Sequence, residues 1–144
     1  MGVPRNTVAP LYYVQRKLQM KKLLIASCVA LALPTAAFAD IAAELTVADQ
    51  HAGFAAKATA IDQVHMHLHH VLNCLVGPNG AGFDASQANP CGKAGNGAIP
   101  DASAAQKAKL TPAVDAAKSG IAATDVAAAQ ADAQKAAAAI QAAK

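Results

Sequence analysis

The chain has 144 residues, 54% of them hydrophobic but only 3% aromatic, and a formal net charge of +3. That charge is unevenly placed: Arg5, Arg16, Lys17, Lys21 and Lys22 precede residue 40 and no acid does, so residues 40–144 carry seven lysines against nine acids, a net −2. Residues 40–144 also lack arginine, tyrosine and tryptophan, which argues against a nucleic-acid binder, because such a surface needs a basic footprint with stacking aromatics.

Residues 20–39 read as a secretory signal peptide. Lys21 and Lys22 supply the basic start, Leu23 to Leu33 the apolar core, and Ala37-Phe38-Ala39 the small-residue end, with cleavage expected before Asp40. The apolar core falls short of the roughly 20 residues that span a bilayer, so no membrane span is expected after its removal. Residues 1–19 lie upstream of this complete signal and read as an over-extended start, with translation beginning at Met20. Ile25-Ala-Ser-Cys28 has the form of a lipidation box, but the apolar run continues past it, which argues against lipidation. The expected mature protein is one small domain, residues 40–144, in the periplasm or secreted.

From Ile41 to Val76 the seam Val47, His51, Phe54, Ala58, Ile61, His65, Leu68, Leu72, Leu75 repeats in steps of four and three. That period predicts one long helix over about 41–76, with these residues as its core stripe. Gly53 lies within the pattern, and a glycine there costs about 1 kcal/mol relative to alanine, so a break near it is the alternative. Gly77-Pro-Asn-Gly80 ends the helix and opens a loop over 77–101. Cys74 and Cys91, the two cysteines left after signal removal, predict a disulfide that staples this loop. A thiolate metal site with His70, four residues before Cys74, is the competing reading.

The remainder is rich in alanine, which forms helices well but buries little area. Asp101 or Ser103 caps a helix over about 102–119. Thr111-Pro112 suggests a restart or kink, and Ser119-Gly120 a stop. Thr124-Asp125 caps a last helix over about 124–143. The expected fold is all-α: the long helix folded back antiparallel on two shorter alanine-rich helices. A hairpin that pairs with a second copy into four helices is the variant.

The chemistry concentrates in Ile61–Val76, which holds four of the five histidines. His65 and His69 have the i, i+4 spacing that lets two imidazoles reach one ion, and Asp62 could add an oxygen. Met66 and His70 form a second such pair, and His67 and His70 an i, i+3 pair. Imidazole suits copper, zinc and nickel, and a thioether leans towards copper. The expected ligands are therefore Asp62, His65, Met66, His67, His69 and His70. His65 in the seam has a rival reading as a packed, hydrogen-bonded residue, and the isolated His51 is read that way alone. No H-E-x-x-H, G-x-S-x-G, phosphate loop or C-x-x-C-H occurs, so catalysis and covalent haem are not expected. With only Phe54 and Phe83 as aromatics in the mature part, a non-covalent haem pocket is hard to build. The sequence thus points to an exported, non-catalytic metal buffer or sequestering protein. A helical interaction module without metal is the alternative, and acid sensing by clustered imidazoles is a third reading.

Overall fold

Asp40 caps the first described helix: its side chain accepts from the Ala43 amide at 3.0 Å. In a computed structural model of the protein, residues 1–2 and 40–144 are described; the expected signal segment 20–39, Cys28 and nearly all of residues 1–19 lie outside them. The helices are α1 (Ile41–Ala55), α2 (Ile61–Val76), the single turn α3 (Ala98–Asp101), α4 (Ala104–Ala122) and α5 (Val126–Ala143). Among the described residues there is no strand, and no helix is long and apolar enough to cross a membrane.

The four long helices form an antiparallel bundle built from two hairpins. α1 packs on α2 and α4 on α5, while α1 also meets α5 and α2 meets α4. Two contacts fix the sense of the α1–α5 pair. Lys144 Nζ, just past the end of α5, reaches Asp49 Oδ2 at 2.8 Å in the middle of α1, and Gln130 Nε2, early in α5, donates to the Ala58 carbonyl at 2.8 Å just beyond the end of α1.

The continuous helix expected over 41–76 is not formed. The chain leaves helical geometry over residues 56–60, and Ala60, in extended conformation, precedes α2. Gly53 stays inside α1, so the glycine does not set the break. The cause is packing. A straight rod would leave its apolar stripe in water, whereas a fold at 56–60 lays α1 against α2 and buries both. The buried stripe of α1 is also rotated by about one residue from the expected seam. Leu45, Ala48, Ala52 and Ala55 are buried, while Val47 is only partly buried and Phe54 is 53% exposed. On α2 the stripe is Val64, Leu68, Val71, Leu72 and Leu75. Alanine explains the misplacement: it is common on every face of α1, so hydropathy cannot mark the buried one.

The second hairpin differs from expectation in detail. Ser103 caps α4 in a reciprocal box with Gln106, which satisfies two orphan donors. The helix then runs through Pro112 and past Gly120 to Ala122. Gly120 is where α4 lies tight against its neighbours: a Cβ there would sit 2.5 Å from Leu68 Cδ1. Asp125 caps α5 by accepting from the Ala128 amide. Ser119 on α4 donates to Asp132 on α5 at 2.6 Å, and Lys135 adds a 2.7 Å ion pair to the same carboxylate.

The long α2–α4 connection is fastened at several points. Cys74 and Cys91 form a disulfide with a Cα–Cα distance of 5.2 Å, as the cysteine count predicts. The buried Asn73 side chain donates to the Asp84 carbonyl at 2.9 Å and the Ala88 carbonyl at 3.1 Å. It also accepts from the Asp84 amide at 2.9 Å. Gly77 (φ +68°) and Gly97 (φ +114°) bring the two ends of the loop into backbone contact, and a Cβ on Gly77 would fall 1.6 Å from the Asn96 carbonyl oxygen. The fully buried Glu44 accepts from the Gly97 amide at 2.8 Å, and burial raises its pKa above the usual carboxylate value.

Candidate metal centre

The break at 56–60 decides which histidines meet. His51 lies about one turn before the end of α1, and His67 under two turns into α2. Folding the chain between them brings the two level. On one continuous helix they would stand about 24 Å apart, from a rise of 1.5 Å per residue. In the hairpin their Nδ1 atoms are 3.2 Å apart. His70, one turn after His67 on the same face of α2, places its Nδ1 3.3 Å from His51 Nδ1. One ring nitrogen from each of the three histidines lies within 4.8 Å of the other two.

These contacts cannot all be good hydrogen bonds. A ring nitrogen carries either one N–H or one lone pair, directed in the ring plane. His51 Nδ1 faces two partners with a single site, so one contact is left poorly made. A cation removes that conflict by accepting all three lone pairs. The spacing fits such an ion, since two nitrogens bound at 2.0–2.1 Å to one tetrahedral metal lie about 3.3 Å apart.

The electrostatics favour neutral rings. Burial lowers the pKa of His51 to about 4, and His70 and His67 push it the same way. Burial also lowers His67, and burial together with His67 and His69 lowers His70. Neutral imidazole is the metal-binding form, so these downward shifts favour the donor state of all three rings. The Phe54 ring flanks the cluster, 5.7 Å from His51 and edge-on to it, and 5.3 Å from His67. Beside it an open groove of about 410 Å³ is lined by Phe54, Lys57, Ala58, Gln63 and His67.

No known protein family, curated protein or solved structure matches the chain. The donor geometry therefore stands as the direct guide to chemistry.

Of the six ligands expected from sequence, the structure brings His67 and His70 to this point. His65 lies elsewhere, its Nε2 2.9 Å from the Ala123 carbonyl just past the end of α4. His69 Nδ1 sits 3.4 Å from Asp84 Oδ2 in the stapled loop. Asp62 and Met66 are exposed. Cys74 is committed to the disulfide. The cluster member that the sequence does not mark as a ligand is His51, which stands alone in the seam. Its 4-3 spacing is visible, but nothing in the sequence marks the turn between it and the histidine run.

Proposed function

We propose that the protein binds a transition-metal ion through His51, His67 and His70, and serves as an exported, non-catalytic metal buffer or sequestering protein. The observation that carries this reading is the clustering of three imidazoles from two helices, with His67 Nδ1 and His70 Nδ1 at 3.2 and 3.3 Å from His51 Nδ1. Three neutral imidazoles at one point suit Cu(II), Ni(II) or Zn(II). The Cys74–Cys91 bridge supports a non-reducing compartment, in keeping with the signal-like residues 20–39. A site at the rim of a hairpin, open on one side, suits loading and release.

The test uses the untagged mature chain. Its metal content is measured as isolated, and Cu(II), Cu(I), Zn(II) and Ni(II) are then titrated into it and into a His51→Ala/His67→Ala/His70→Ala variant. The wild type is expected to take up one ion per chain with an affinity the variant lacks. Equal, weak uptake by both would remove the metal reading and leave a stapled helical scaffold.

A further inference from the structure

Among the described residues, only three His, Cys, Asp or Glu side chains converge at the centre, His51, His67 and His70. A tetrahedral ion takes four ligands, and metal sites that keep one position open hold water or substrate there. The surroundings of the fourth position are specific. His67 is at once a member of the cluster and a wall of the groove. Phe54, edge-on to His51 and tilted against His67, forms the apolar side of that groove. Lys57 is the charged residue among its lining, and no carboxylate is present there. An ion held by three neutral imidazoles keeps its full positive charge. A groove that opens beside that ion, with an ammonium at its edge and no acid, favours a negatively charged ligand.

We propose that the metal's fourth position opens into the Phe54–Lys57–Gln63 groove and takes a small inorganic anion or a metal-bound hydroxide, which Lys57 helps to hold. This rests on the metal-binding reading above and adds to it the ligand class of the open position. It also accounts for the placement of Phe54, a large apolar side chain left on the surface: the ring shields one side of the ion while leaving the groove side free.

Cobalt(II) with azide tests the proposal. Co(II) replaces zinc in histidine sites and reports its coordination through visible absorption. The full mature chain is loaded with Co(II), and azide is then added to the wild type and to Lys57→Met. The expected result is a d–d spectrum that azide shifts saturably, with azide affinity lowered about three- to tenfold in Lys57→Met while Co(II) affinity is unchanged. A four-coordinate Co(II) spectrum that azide leaves unmoved would overturn the open position, and would mean that Met66 or a second copy of the chain fills it. An azide response equal in both proteins would overturn the groove as the place where the anion sits. Failure of the triad to take up Co(II) at all would remove the metal reading and this inference with it.

Discussion

Replacing His51 by alanine separates the structural site from the one the sequence suggests. The His65–His70 run is untouched by this change, yet the ion loses one of three converging donors. The expected loss is set by comparison. Removing a residue that merely orients a ligand costs 10- to 100-fold in affinity, so removing a ligand itself should cost at least about 100-fold, or ~2.7 kcal/mol. The apo protein should change far less. His51 is half-buried, and its ring nitrogen makes two contacts that cannot both be satisfied, so the variant should keep its stability to within about 1 kcal/mol. Zn(II) affinity is read at pH 7.5 by competition with a chromophoric chelator, with thermal melting of the apo forms as the folding control. His65→Ala serves as the comparison and should bind within threefold of the wild type, because its ring is engaged with the Ala123 carbonyl. The reasoning is refuted if His51→Ala binds like the wild type while His65→Ala or His69→Ala loses affinity. The ion would then sit within the tract on α2 alone.

Three further outcomes follow from the same geometry. The folded pKa values of His51, His67 and His70 lie below that of a free imidazole, so the unfolded chain takes up protons first on acidification. Stability of the apo protein should fall as pH drops from about 6.5 towards 4. Glu44, raised by burial, acts in the opposite sense, so urea midpoints of wild type and triple-alanine variant are compared across that range, and the fall should flatten in the variant. Asn73→Ala strips partners from the Asp84 amide and from the Asp84 and Ala88 carbonyls. It should cost about 2–4 kcal/mol in urea denaturation, even with the disulfide intact. Gly120→Ala would gain about 1 kcal/mol on an exposed helix. Here the added methyl meets Leu68 at 2.5 Å, so the net change should be a loss of about 1–2 kcal/mol, seen as a lower melting temperature.

The sequence carried the all-helical fold, the staple and most helix ends, because each has a local signal. Asp125 and Ser103 announce caps, Gly77 a stop, and two cysteines in a chain expected to be exported a bridge. The break at 56–60 had no such mark. Lys57-Ala-Thr-Ala60 contains neither glycine nor proline, and the 4-3 seam runs across it unbroken. A repeating stripe is equally compatible with one rod meeting a partner and with two segments folded onto each other. The same ambiguity hid His51. Its role depends on register across a hairpin, a property of the folded chain that no window along the sequence contains. At Pro112 the local signal was present but outweighed: Leu110, Ala113, Val114 and Ala117 are buried on both sides of the proline, and that packing carries the helix through it.

The two ties on α2 have a joint consequence. At one end the cystine holds the helix to its loop for as long as the surroundings are oxidising; near the middle a bound cation would clamp it to α1 only while the ion is supplied. About half of the buried core is alanine, which buries little area per residue, and a ligand at 100 times its dissociation constant adds about 2.7 kcal/mol. The survival of such a protein against proteolysis would then follow the surrounding metal level, so that its own turnover becomes a gauge of the ion it carries.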